Sequence, residues 1–395
     1  MRSTFQAVPA KDSWCLFRRV LSAAGGCRRR TWDASALPPV DSQPPEAYAR
    51  GRGGCGWIRR KGQHLGQSRG AIGVRHVAIP TPSGLSPHDG LVRKWAVAAR
   101  LPFLTASVLP AVAGTAGAWR AEGALRAGLA ALAIVGVALI QAGANLANDY
   151  FDHRSGADAA NRAVTPFSGG SRVIQEGILS PRAVVAAAAL CLAAGAACGI
   201  VLWRLTPGHT LLAIGLAGMA IAWFYTAPPV RLAHRGLGEL GIFVAFGLLP
   251  VLGVEWVQRG RLTAEVGWLG VPAGLLVAAI LLVNEFPDAA ADAAAGKRHL
   301  VVRLGRARAV VLYELLVVGA YASVAAAVVL GWLPLLACVV GLVAPLSWRA
   351  VRVLRAHHRE VAAMVPAQAA TIAQQALFLV LLTGACLADM GLRAW

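Results

Sequence analysis

Apolar runs of about twenty residues recur along this chain, at roughly 100–118, 125–147, 183–203, 210–227, 238–256, 267–285, 309–331, 333–348 and 374–391. A bilayer core about 30 Å thick needs about 20 such residues per helix. Backbone polar groups can be satisfied there only within helices or closed barrels. Runs this long, built from Ala, Leu, Val and Gly, predict helices. The expected fold is therefore an all-α polytopic membrane protein with about nine transmembrane helices. A chain that is 57% hydrophobic with mean hydropathy +0.57 is not one or two water-soluble domains.

Residues 1–90 differ from the rest. They hold 14 Lys/Arg against 5 Asp/Glu, are rich in Arg, Gly, Ser and Pro, and contain no apolar stretch long enough for a signal peptide. They are expected to be a basic, disordered extension ahead of a membrane domain at 91–395. Periodic hydrophobic sequence starts only near Lys94, and no Met lies between Met1 and Met219, which also fits a start codon placed upstream of the true one. No nucleic-acid partner is expected. The seven Cys show no CxxC and no Cys/His ligand spacing, so neither a zinc site nor a disulfide framework is expected.

Charge in the loops sets an orientation. Connections after the second, fourth, sixth and eighth runs carry 15 Lys/Arg, and the others carry 5. The even-numbered loops and the amino terminus are thus expected on the cytoplasmic side of the inner membrane.

Two acidic clusters fall on that side. NDYFDHRSGAD follows the second run, and NEFPDAAADAAAGKRHLVVRLG begins at Asn284 after the sixth. Aligned on their Asn they read N-D-Y-F-D and N-E-F-P-D, an echo four runs apart that suggests one site between two halves. Asp149 and Asp152 at i, i+3, and Asp288 and Asp292 at i, i+4, each share a helical face. Like charges so placed repel, and a hard cation such as Mg²⁺, held by carboxylates and a substrate's phosphates, relieves the repulsion. Basic residues follow each cluster: Arg172 in PFSGGSRVIQEG, and Lys297 and Arg298 in AGKRHLVVRLG. Carboxylates that hold metal beside Lys/Arg that bind phosphate oxygens make a diphosphate clamp. Above an apolar bundle, the rest of the substrate would be lipid. An ion-coupled transporter is the alternative, but transporters hold their ionisable groups near the bilayer midplane, and here they cluster at helix ends.

At these residues the chain resembles the UbiA-type superfamily of intramembrane prenyltransferases, from about Lys94 to the end. NDYFDHRSGAD, PFSGGSRVIQEGILSP, YTAPPVRLAHRGLGELGIFVAFG and NEFPDAAADAAAGKRHLVVRLG are most similar to the branch containing 1,4-dihydroxy-2-naphthoate polyprenyltransferases of menaquinone synthesis. The resemblance implies nine helices around a central cavity, with two aspartate-rich motifs binding Mg²⁺ and an isoprenyl diphosphate that reacts with an aromatic acceptor. Carried over, Asn148, Asp152 and Asp158 form the first motif and Asp288 and Asp292 the second, with Asn284 opening it and Asp149 beside the first. Many members place the last acid of the first motif four residues after the one before; here that position is Gly156, and Asp158 lies six after Asp152. Asp152, Asp288 and Tyr225 are the expected catalytic residues. Arg172, Lys297, Arg298 and Arg231 are the expected diphosphate contacts. Other acceptors used in the superfamily, homogentisate, 4-hydroxybenzoate or a chlorophyllide, stay open at this point.

Overall fold

The computed structural model describes residues 83–86 and 88–393. Most of the basic extension expected over residues 1–90 therefore lies outside the described residues. Ser83 donates through its backbone N–H and hydroxyl to Glu176, and Leu85 is buried among Val173, Ile174 and Leu179.

Eight helices among the described residues are long and apolar enough to cross a membrane, and a ninth apolar helix is shorter. We number them α1 (Leu101–Glu122), α2 (Ala127–Ser155), α3 (Pro181–Leu205), α4 (Thr210–Phe224), α5 (Gly238–Arg259), α6 (Ala264–Ala294), α7 (Arg306–Val329), α8 (Leu335–His357) and α9 (Val361–Leu392). The only strand-like pairing among the described residues is an isolated bridge between Thr165 and Ser168.

The eighth and ninth spans extend well beyond their apolar runs. The eighth runs to His357 because a 3-10 stretch, Leu335–Val343, leads into an amphipathic helix that carries Arg349, Arg352 and Arg355. The ninth begins thirteen residues before its apolar run at 374. Its early turns carry Gln368 and Thr371, buried inside the protein like Gln374 and Gln375 further along, where hydropathy reads the first two as loop.

Helix α6 is the axis of the bundle, with 78% of its central window buried, and α9 follows at 61%. Between helices in lipid, close approach through small residues replaces the hydrophobic drive of water. A Cβ on Gly143 of α2 would stand 2.7 Å from Leu192 of α3, and one on Gly114 of α1 would stand 2.8 Å from Val254 of α5. The tightest crossing joins α5 to α6: a Cβ on Gly247 would meet Gly274 Cα and the Gly270 carbonyl at 2.4 Å. Gly247 belongs to a π-helical segment, Phe243–Leu248, a distortion that proteins place near functional sites.

The loops after α2, α4 and α6 gather at one end. Asn161 bonds Asp288, and the Arg298 N–H donates to the His234 carbonyl. Ion pairs clamp the other end. Arg120 of α1 reaches Asp389 of α9 at 2.7 Å and Glu265 of α6 at 3.0 Å, and Arg259 reaches Glu122 and Glu255 at 3.1 Å each. The α5–α6 crossing is the most sensitive packing contact. Gly247→Val is expected to destabilise the fold by at least about 1–3 kcal/mol, the usual range for overpacking, read as a lower melting temperature in detergent and a smaller monodisperse yield.

Candidate active site

Helix α2 continues past its apolar run and stops at Gly156, whose φ of 80° ends it in the left-handed region. A four-residue helix, Ala157–Ala160, then turns Asp158 back toward the α2 end. The carboxylates of α2 divide by face. Asn148 and Asp152 line a cavity, with Asn148 Nδ2 donating to Asp152 Oδ2 at 3.1 Å. Asp149 does not line it. Its carboxylate accepts from the Arg100 guanidinium and the Ser171 hydroxyl, so its acceptors are already committed inside the protein. The i, i+3 spacing puts Asp149 near Asp152 without pointing it the same way: the expected metal-facing Asp149 is turned to Arg100 and Ser171. Breaking such a buried pair by removing one partner costs about 3–5 kcal/mol.

The second motif comes from α6 and meets the first across the cavity mouth. Asp288 accepts from Asn161 Nδ2 at 2.8 Å and from the Gly169 N–H at 3.1 Å. Asn284 accepts from Gln368 of α9 at 3.0 Å. Lys297, on the loop after α6, places its Nζ 3.3 Å from Asp152 and 3.3 Å from Asp292, so one cation bridges the two motifs. His299, fully buried, lies between Glu285 at 2.9 Å and Asp292 at 3.4 Å. The loop before α3 closes around Asp158: Gln175 donates to its carboxylate at 2.8 Å, and Arg172 donates to its carbonyl. Gly170, with φ of 77°, passes so close that a Cβ would stand 3.2 Å and 3.3 Å from the Asp158 oxygens, which restricts that position to glycine.

The cavity has a volume of about 330 Å³. Its mouth presents Arg100, Asn148, Asp152, Asp158, Asn284, Asp288, Asp292, Lys297 and Tyr225, and its walls are mostly apolar side chains and glycines of α1 to α6, with Ser107 and Gln141 among them. Of the expected diphosphate contacts, Lys297 lines the mouth. Arg172 braces the Asp158 backbone instead, while Arg231 and Arg298 are exposed and outside the lining. Sequence reasoning missed Arg100, Asn161 and Gln175. Arg100 stands just ahead of the first span and reads as a positive-inside residue, and the two amides sit in a loop with no periodic signal.

Burial, then the neighbouring Asp152 and Asp149 charges, push the Asp158 carboxyl up to about 8. Burial works against a charged His299, but its bonds to Asp292 and Glu285 outweigh this and lift it to about 9. Burial, reinforced by Glu285, holds the Tyr225 phenol well above its ordinary value. Among the described residues no three His, Cys, Asp or Glu side chains already form a metal cluster. The donor set still suits a hard cation shared with a substrate: one Asp152 oxygen is buried without a partner, and burial together with neighbouring negative charge raises the Asp158 carboxyl. Mg²⁺ is characteristically held by one or two carboxylates plus substrate phosphates rather than by a complete protein cage.

Fold and site together define an intramembrane helical bundle with carboxylates at the mouth of an apolar cavity. Residues 107–388 match the model of the UbiA prenyltransferase family. The chain belongs to that family. It is 38% identical over 269 residues to 1,4-dihydroxy-2-naphthoate octaprenyltransferase of Mycobacterium tuberculosis, spanning 66% of this chain and 86% of that protein. It is 29% identical over 212 residues to 2-carboxy-1,4-naphthoquinone phytyltransferase of Synechocystis, spanning 53% and 66%. The fold is also that of a UbiA homolog from Archaeoglobus fulgidus solved bound to GPP and Mg²⁺, with a TM-score of 0.52, 15% identity, and coverage of 75% of this chain and 99% of that one.

The raised Asp158 carboxyl links folding to pH. The folded chain keeps on Asp158 a proton that the unfolded chain releases near 3.8, so in chelator its contribution to stability is present below pH 3.8 and is lost as pH rises toward about 8. Asp158→Asn is expected to flatten that part of the profile, measured as melting temperature against pH from 5 to 9 in EDTA.

Proposed function

We propose that this chain transfers a polyprenyl group from an isoprenyl diphosphate to 1,4-dihydroxy-2-naphthoate, with Mg²⁺, in menaquinone biosynthesis. The observation that carries the reading is the convergence of two aspartate motifs, bridged by Lys297, on the rim of an apolar cavity. Similarity to naphthoate octaprenyltransferases at up to 38% identity supports the acceptor.

Asp152, Asp158, Asp288 and Asp292 would hold Mg²⁺, which when bound neutralises charge on the departing diphosphate. Lys297 and Arg100 donate to the remaining phosphate oxygens and stabilise the charge that grows as the allylic C–O bond breaks. The bonding electron pair leaves with the diphosphate. The apolar walls keep water from the allylic cation, and the Tyr225 ring at the mouth presents a π face to it. Its phenol stays protonated. The acceptor ring attacks through its carboxylate-bearing carbon, forming the new C–C bond, and the carboxylate leaves as carbon dioxide while its electron pair restores aromaticity. Arg231 and Arg298, exposed on loops at the same end, draw the diphosphate toward the mouth. Asp149 acts one step back, pinning Arg100 and the Ser171 loop. The excess of Lys/Arg in the loops at this end supports a location at the cytoplasmic face of the inner membrane.

Asp152→Ala and Asp288→Ala are each expected to reduce transfer by about a hundredfold or more while the protein still purifies folded. The assay is incorporation of radiolabelled prenyl diphosphate into lipid-soluble product, with Mg²⁺ or EDTA, offering 1,4-dihydroxy-2-naphthoate beside 4-hydroxybenzoate and homogentisate. Magnesium-dependent product from the naphthoate alone supports the reading. Product from another acceptor moves the chain to a different branch of the family, and unchanged turnover in both variants removes the metal assignment.

A further inference from the structure

One wall of the cavity is built differently from the others. Helix α4 is only 15 residues long, and Leu211 is its single buried residue. Its cavity-lining residues are Leu211, Ile214, Gly215, Gly218, Ile221 and Ala222, and the stripe continues to Tyr225. Spacings of three and four along the chain put them on one face of a helix. Tyr225 marks the polar end of that face. At the other end Leu211 packs in a buried cluster with Leu202, Val254 and Val257, and all four border the cavity.

The two glycines are the gap in this wall. A Cβ on Gly215 would meet nothing within 4 Å, and one on Gly218 would first touch Leu249 at 3.8 Å. Neither glycine is there for tight packing, unlike Gly247 or Gly143, and neither has positive φ. Their missing side chains leave room in the cavity itself.

Distances along α4 match distances along a prenyl chain. From Tyr225 to Leu211 is fourteen residues, about 21 Å at 1.5 Å per residue. An isoprene unit adds four chain bonds of about 1.5 Å, so an extended chain advances about 5 Å per unit. Gly218 lies about 10 Å below Tyr225 and Gly215 about 15 Å below it. The three-residue step from Gly215 to Gly218 spans about 4.5 Å, close to one unit.

We infer that the α4 stripe measures the donor's chain, with Gly218 and Gly215 as successive gauge positions that successive isoprene units pass. The inference rests on the prenyl-transfer reading. A bulky side chain at Gly218 stops the donor after about two units, and the same side chain at Gly215 stops it one unit later. Leu211 and its cluster lie at the depth of about four extended units.

The test uses the full-length protein in nanodiscs, with saturating 1,4-dihydroxy-2-naphthoate and donors of increasing length from two isoprene units upward. Wild type, Gly218→Leu, Gly215→Leu and Leu216→Ala are compared by kcat/KM, Leu216 being 62% exposed on the opposite side of α4. Gly218→Leu is expected to keep the shortest donor within about threefold of wild type and to lose about tenfold or more for longer ones. Gly215→Leu moves that threshold up by one unit, and Leu216→Ala leaves the profile unchanged. Retained activity on the short donor is itself proof of folding, and Gly218→Val and Gly215→Val run beside the leucines for the case that leucine prevents it. Equal loss at every length, or one shared threshold for both positions, overturns the gauge. No transfer by wild type from any donor to any aromatic acceptor overturns the prenyl-transfer reading itself.

Discussion

Negative charge held out of water at the rim of a membrane bundle governs how this end of the protein is built. Asp149, Asp152, Asp158 and Asp292 are each less than a tenth exposed, and an unpaired carboxylate there would be prohibitively costly. Each receives its own answer. Arg100 and Ser171 take Asp149, Gln175 takes Asp158, and Lys297 serves Asp152 and Asp292 together. Asp288 receives an amide and a backbone N–H from the loop that follows α2. That loop is therefore shaped by the charges it covers, down to the glycine at 170.

The same requirement explains why the two motifs share partners although more than a hundred residues separate them. Lys297 belongs to the second motif's loop, yet half of its charge compensation lies on the first. Asn161 belongs to the first motif's loop and bonds the second. When a diphosphate arrives, its charge must be offset by the cations that now satisfy the carboxylates, so substrate binding and the state of both motifs are coupled through shared partners.

Much of this was legible in the sequence, for physical reasons. Lipid has no hydrogen-bonding capacity, so each span must be a continuous apolar helix, and the recurrence of such runs exposed the architecture. Asp152 and Asp288 stood out because two clusters, N-D-Y-F-D and N-E-F-P-D, recur after apolar runs and each is followed by basic residues. What escaped was direction and partnership. Asp149 is as acidic as Asp152, and only the backbone turn at Arg100, in the left-handed region at φ 54°, brings the guanidinium that commits it. Gln368 and Thr371 looked like loop because polarity in a membrane helix is compatible with burial when a partner such as Asn284 or Tyr313 is available. Asn161 and Gln175 carry no pattern at all, since contacts made by loops depend on how distant helices pack.

Helix α4 packs lightly while α6 is enclosed, and the two answer to different pressures. A change in α6 disturbs neighbours on every side, as the backbone contact between Gly247 and Gly274 makes plain. A change on α4 meets open cavity on one face and lipid on the other. The bundle thus separates a slowly changing catalytic frame from a wall that can vary with little loss of stability, and that wall is where relatives with different hydrophobic substrates would be expected to diverge first over evolutionary time.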